Sequence, residues 1–174
     1  MALLPIIIAP DPRLKIKAKP VARVDRDVRR LMDDLLESMY AADGIGLAAP
    51  QVGVAQRVLV VDVARENEEP RPLRMANPEI VWASDDIQPR SEGCLSLPEH
   101  FAEVARPVAV KVRYIDHENE IREIAAEGVL AQCIQHEMDH LEGVLFVDHL
   151  SALKRNIILR KLVKSKKQAQ AVPA

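Results

Sequence analysis

Two histidines four residues apart with a glutamate between them, His136-Glu137-Met138-Asp139-His140, are the residues of this chain best suited to chemistry. On a helix, positions i and i+4 share a face, so both imidazoles reach one metal ion. The glutamate beside the first histidine then reaches a water on that ion. This is the spacing of a hydrolytic metal site. The plainer alternative is a surface helix with scattered polar residues, but the strongly apolar neighbours imply burial, and buried histidines need partners.

A hydrolytic site also needs a third protein ligand and one open position. An extended zinc motif would follow Gly143 with a histidine at position 146, and that position holds Phe146. No glutamate follows Glu142, which excludes a distant downstream carboxylate of that type. Asp148 and His149 lie very near the end of the same helix, so the third ligand is sought upstream. The best candidate there is Cys94, in Glu92-Gly93-Cys94-Leu95-Ser96-Leu97-Pro98. The neighbouring glycine lets backbone approach closely, and a metal would hold the sulfur as thiolate. Taken alone, Cys94 reads as a buried thiol acting as a small apolar residue, as Cys133, one turn before His136, does. A Cys94–Cys133 disulfide is the remaining alternative, disfavoured in a reducing compartment.

A third segment, Gly44-Ile45-Gly46-Leu47-Ala48-Ala49-Pro50-Gln51-Val52-Gly53, has a Gly-x-Gly pair. No Lys-Ser/Thr follows, and the dinucleotide spacing is missing, so a phosphate loop is excluded. The better reading is backbone pressed close to a substrate, with Gln51 offering an amide N–H; the alternative is a tight helix-to-strand connection.

The elements that must position these residues follow from periodicity. Val28, Leu31, Met32, Leu35, Leu36 and Met39 recur at helical spacing, with Asp25 or Asp27 as cap and Asp43-Gly44 as the stop. Residues 1–20, with four prolines, read as an extended arm over the body. Arg57 to Val63 reads as a buried strand, 64–72 as a charged loop, and Glu79 to Trp82, Val108 to Ile115 and Ile121 to Ala125 as short strands. A helix from near Gly128 to Leu141, stopped by Gly143, carries both histidines. A last helix after Ser151 has Leu153, Ile157, Ile158 and Leu162 as its apolar stripe, with Lys and Arg on the other faces. Strands segregated from a few helices point to an α+β fold.

The chain of 174 residues fits one domain, taken as 1–167 with 168–174 as a disordered tail. The formal charge of −2 excludes a whole-protein nucleic-acid footprint. Two cysteines cannot make a disulfide framework, which points to a reducing compartment. No signal-peptide pattern and no membrane-length apolar run is read, so the expected location is cytoplasmic and no membrane is involved.

Together, Gly44-Ile-Gly-Leu-Ala-Ala-Pro-Gln51, Glu92-Gly-Cys-Leu-Ser96 and Gln135-His-Glu-Met-Asp-His140, in that order, resemble peptide deformylase in its compact bacterial form. The resemblance implies antiparallel sheets around a central metal-binding helix, with an N-terminal helix and a C-terminal helix packed outside. It implies a hydrolase that removes the formyl group from the N-terminal formyl-methionine of nascent polypeptides and releases formate. Cys94, His136 and His140 would hold the metal and Glu137 would move the protons. The Leu95 backbone N–H and the Gln51 side chain would stabilise the oxyanion. Ile45, Leu95, Cys133 and His136 would line the methionine pocket, and Gly46 would contact the peptide backbone. Arg106 would pair with Glu92 and hold the cysteine loop.

The Cys/His/His set suits zinc. The resemblance implies ferrous iron in the cell, with zinc, nickel or cobalt in purified protein. Arg90, Gln132 and Phe101 depart from the family's usual residues at the pocket rim. The basic last helix has two readings, a solvated cationic face or a contact with the ribosome. A monomer is expected. The rival functions are an HExxH metallopeptidase and a noncatalytic peptide-binding relative.

Overall fold

Asp25 starts the first helix by accepting the Val28 backbone N–H at 2.9 Å, so the first of the two candidate caps is the one used. That helix, α1, spans Arg26–Ala41 and buries Val28, Met32, Leu35, Leu36 and Met39 along one face. The computed structural model describes residues 2–171. After α1 come β1 (Gly46–Ala48), β2 (Val58–Val61), β3 (Leu73–Ala83), β4 (Ile87–Cys94), β5 (Leu97–Pro107), β6 (Ala109–Ile115) and β7 (Ile121–Glu127). Helix α2 then covers Gly128–Leu141 and α3 covers Ala152–Ala171.

The strands form a five-stranded sheet in the order β1-β2-β3-β6-β7 and a separate β4-β5 hairpin, with every named pair antiparallel. The architecture is α+β, as the segregation of strands and helices predicts. β2 is buried on both faces, which explains its run of Val-Leu-Val-Val. Its side chains alternate between two cores. Leu59 and Val61 join Met75, Val110 and Val112 against Ala131, Ile134 and Leu141 of α2. Val58 and Val60 join the apolar face of α1 on the other side. The metal-motif helix is therefore clamped onto the sheet, with its histidines facing the hairpin.

A third core cluster fixes that hairpin. Ile7, Ala9 and Leu14 of the N-terminal arm pack with Leu97 and Val104 of β5, with Leu145 to Val147, and with Leu162 of α3. The arm is stitched down by backbone hydrogen bonds from Ile7 N–H to Gln51 O, Ala9 N–H to Ser96 O and Ala18 N–H to Leu141 O. All three bonds land in or directly beside the three motifs read from the sequence. The Pro-rich arm is extended except for one 3-10 turn at Pro12–Lys15.

Several elements differ from the sequence reading. β4 and β5 escape it because their exposed, charged and proline-bearing residues give no clean apolar alternation in a two-stranded sheet. β3 begins six residues before Glu79, and its continuity is masked by the positive φ at Asn77 and register shifts against β6. On α3, Leu153 and Ile157 are exposed, whereas Ile158, Leu159 and Leu162 are the side chains that pack. The disordered tail expected over 168–174 is corrected for its first part, since α3 continues through Ala171; residues 172–174 lie outside the described residues. No helix among the described residues is long and apolar enough to cross a membrane.

Candidate metal centre and active site

α2 presents His136 and His140 one turn apart, and β4 ends at Cys94 opposite them. One possible ligand atom from each of the three lies within 4.8 Å of the others, and no other such group occurs among the described residues. Cys94 Sγ and His140 Nε2 are 3.3 Å apart. His136 Nδ1 meets Glu92 Oε1 at 2.9 Å, which fixes Nδ1 as the donor and leaves Nε2 for the centre. All of these histidine side chains are buried, while Cys94 is partly exposed.

The donor set fits a metal ion. It offers one soft sulfur and two imidazoles, three ligands with room for a fourth. Glu137 Oε2, on a residue that lines the adjoining cavity, is a buried polar atom with no hydrogen-bond partner, so the site has polar capacity that the protein does not fill. The electrostatics agree. Burial pulls the His136 pKa down, but hydrogen bonds to Cys94 and Glu92 and the Glu137 charge push it well above its ordinary value. A site whose anions attract a proton that strongly also attracts a cation. Burial and the charges of His136, Arg106 and Lys15 hold His140 well below its ordinary value, so its imidazole is neutral with a lone pair to donate.

Glu137 is fully enclosed, and burial raises its carboxyl from 4.5 to about 7 against the opposing pull of His136. Such a carboxylate can both take and return a proton near neutral pH. Gly46 gives it room: a Cβ there would stand 2.7 Å from Glu137 Oε1 and 2.8 Å from Cys133 Sγ. Cys133 is held as a thiol, pushed well above its ordinary value by burial and by Glu137 and Glu92, and donates to Ile45 O at 3.4 Å. It lies outside the metal-ligand group.

Arg106 is buried and forms a fork with Glu92, Nε to Oε2 at 2.5 Å and Nη2 to Oε1 at 2.9 Å. The expected Arg106–Glu92 pair is therefore present. Glu92 lies two residues from Cys94 and touches His136, so one ion pair ties the cysteine loop to the helix. Arg106 Nη1 also donates to Asp139 Oδ2 at 3.0 Å, and that oxygen meets His149 Nε2 at 2.8 Å. The structural roles of Asp139 and His149 are not legible in the sequence, because Asp139 of α2 meets Arg106 of β5 only in the folded chain.

The group sits at one wall of a cavity of about 620 Å³ lined by Ile45, Gly46, Leu95, Cys133, His136 and Glu137, with Phe101 and Gln132 among its other walls. A family model of polypeptide deformylase matches residues 3–156 of the chain. The chain belongs to the polypeptide deformylase family. It is 57% identical over 169 residues to the peptide deformylase of Phenylobacterium zucineum, covering 97% of this chain and all of that one. To the peptide deformylase of Rhizobium meliloti it is 51% identical over 167 residues, covering 96% of each. The crystal structure of the Ehrlichia chaffeensis peptide deformylase superposes with a TM-score of 0.93 at 39% identity, over 97% of this chain and 99% of that one. A second structure of the Ehrlichia enzyme, in complex with actinonin, gives 0.91 at 41% identity over 95% and 98%.

Of the three residues expected at the pocket rim, Phe101 and Gln132 line the cavity and Arg90 does not. Gln132 Nε2 donates to Ser91 O at 2.9 Å, bridging α2 to β4 across the cavity wall. Arg90 lies beside the start of α2, near Gly128. Phe101 is 70% exposed and lays its ring edge over Gly93, where a Cβ would come within 2.5 Å of it.

Proposed function

We propose that this chain removes the formyl group from the N-terminal formyl-methionine of nascent polypeptides, releasing formate. One observation carries the reading: a protonatable glutamate and two members of the Cys/His/His group, Cys94 and His136, line one cavity together with Ile45, Leu95 and Cys133. Membership in the deformylase family selects the formyl substrate; the geometry supports an amide-hydrolysing centre.

In this reading Cys94 at the end of β4, with His136 and His140 of the HExxH helix α2, would hold one divalent ion: ferrous iron in the cell, with zinc, nickel or cobalt possible in purified protein. When bound, the ion supplies Lewis acidity that polarises a carbonyl and makes water more acidic. Glu137 accepts the proton of the attacking water, whose oxygen bonds to the formyl carbon. The C–N bond then breaks, and Glu137 returns the proton to the departing amine. The Leu95 backbone N–H and Gln51 Nε2 donate to the developing oxyanion. Ile45, Leu95, Cys133 and the His136 ring form the methionine pocket, and Gly46 brings backbone against the peptide.

The catalytic domain is taken as residues 1–167, working as a cytoplasmic monomer. α3, with Lys154, Arg155, Arg160, Lys161 and Lys164 on one short stretch, is the surface proposed to meet the ribosome. The deciding experiment compares formate release from formyl-Met-Ala peptides with cleavage of unformylated peptides, under anaerobic conditions and with metal analysis. Turnover of the formyl peptides supports deformylation. Cleavage of only the unformylated ones would assign a metallopeptidase, and no turnover of either by metal-loaded protein would assign a binding relative.

A further inference from the structure

Ser96 is fully buried, yet it belongs neither to the metal group nor to the cavity wall. It is the second residue of the two-residue turn that joins β4 to β5, since Cys94 pairs with Leu97 across that turn. Its carbonyl accepts the Ala9 N–H of the N-terminal arm at 2.8 Å, which pins the turn from outside. Its hydroxyl faces inward and accepts from Gln51 Nε2 at 3.1 Å.

The Gln51 amide is held at both ends. Ala48 N–H donates to Gln51 Oε1 at 2.9 Å. A backbone N–H can only donate, so the atom facing it must be the oxygen, and this chemistry fixes which way the amide points. Nε2 is thereby turned toward Ser96 and Cys94. It carries two hydrogens: one is donated to Ser96 Oγ, and the other points to the centre, where it meets Cys94 Sγ at 3.6 Å. Without the hydroxyl, Ala48 still anchors the oxygen, but only the long contact to Cys94 Sγ, a proposed metal ligand, is left to orient the nitrogen.

We propose that Ser96 is a positioning residue for the reaction: its hydroxyl orients the Gln51 amide so that the second N–H of Nε2 is aimed at the site of the developing oxyanion. The inference rests on the reading of Gln51 as an oxyanion donor. Removing an oxyanion donor outright lowers kcat by about 10²–10³-fold. Mis-aiming it costs part of that, so Ser96→Ala lowers kcat on the order of tenfold, with KM changed less than about twofold.

The test is a double-mutant cycle on the metal-loaded enzyme, together with side-chain amide exchange of Gln51 measured by NMR in the zinc form. Ser96→Ala alone lowers kcat with metal content unchanged, and exchange of the Gln51 side-chain protons speeds up. In the Gln51→Ala background, adding Ser96→Ala changes nothing further. An equal loss from Ser96→Ala in both backgrounds would overturn the inference, because Ser96 would then act through packing alone. So would unchanged kcat for Ser96→Ala where Gln51→Ala is strongly impaired. Unchanged turnover in Gln51→Ala overturns the oxyanion role of Gln51 itself, and with it this one. Should the alanine variant fail to fold, Ser96→Cys, somewhat larger and with only a weak acceptor, carries the same expectations.

Discussion

Replacing Arg106 with methionine tests whether the Glu92–Arg106 pair holds the centre together. Arg106 is 8% exposed and Glu92 4%, so the change keeps most of the side-chain volume but strands a buried carboxylate. Removing one partner of a buried pair costs about 3–5 kcal/mol. Linkage gives a second measure. Burial pushes the Glu92 carboxyl up, but hydrogen bonds from His136 and Arg106 and their charges outweigh it, bringing it from 4.5 to about 2. That lowering corresponds to roughly 3 kcal/mol, shared between the two partners. Because the folded value is the lower one, this stabilisation is complete above pH 4.5 and is lost as the pH falls through about 2.

The expected loss for Arg106→Met is therefore about 3 kcal/mol at pH 7, or roughly 6–12 °C in Tm. Urea denaturation of metal-stripped protein measures it without interference from ligand binding. The deficit narrows as the pH is lowered through the carboxylate range, because the variant's Glu92 is then protonated and no longer a buried charge without its guanidinium. Arg113→Met is the control: Arg113 and Glu123 are 3.4 Å apart and about half exposed, and such a pair contributes under about 0.5 kcal/mol. A deficit below about 1 kcal/mol for Arg106→Met, or one equal to the control, would refute the reasoning. Metal affinity falls alongside, by about 10–100-fold, since His136 loses a firmly held partner.

Three further outcomes follow from the geometry. Glu137→Ala retains metal by elemental analysis but lowers kcat by about 10²–10⁴-fold; turnover near wild type would remove Glu137 as the proton carrier. Gly46→Ala puts a methyl group 2.7 Å from Glu137 Oε1 and 2.9 Å from its Cγ, so the carboxylate is displaced. Formate release is expected to drop at least about tenfold with a stability loss of about 1–3 kcal/mol, and full activity would show that Glu137 tolerates the shift. Burial raises the Asp116 carboxyl, but Arg122 and the Glu120 and Glu118 amides hold it below 3.8. Its stabilisation is thus present above pH 3.8 and lost below, and Asp116→Asn should cost about 1 kcal/mol at neutral pH and nothing in strong acid. A deficit that persists at low pH would assign the effect to packing.

Where the chemistry depends on neighbours in sequence, the sequence alone determined it. His136, Glu137 and His140 share a face because a helix repeats every 3.6 residues, and that rule needs no tertiary contact. The α1 cap at Asp25, the buried run of β2 and the stop at Gly143 are local in the same sense. Elimination of downstream ligands pointed upstream to Cys94, but only the β4–β5 hairpin, whose strands carry no readable alternation, brings its sulfur to His140. The direction in which Gln51 points was likewise undecided. It depends on Ala48 on one side and on Ser96, 45 residues away, on the other. The outer links from Glu92 through Arg106 to Asp139 and His149 are of the same kind. Local periodicity selects which residues can act, but their partners are set by cross-strand register and by the arm that clamps the hairpin, which no single segment encodes.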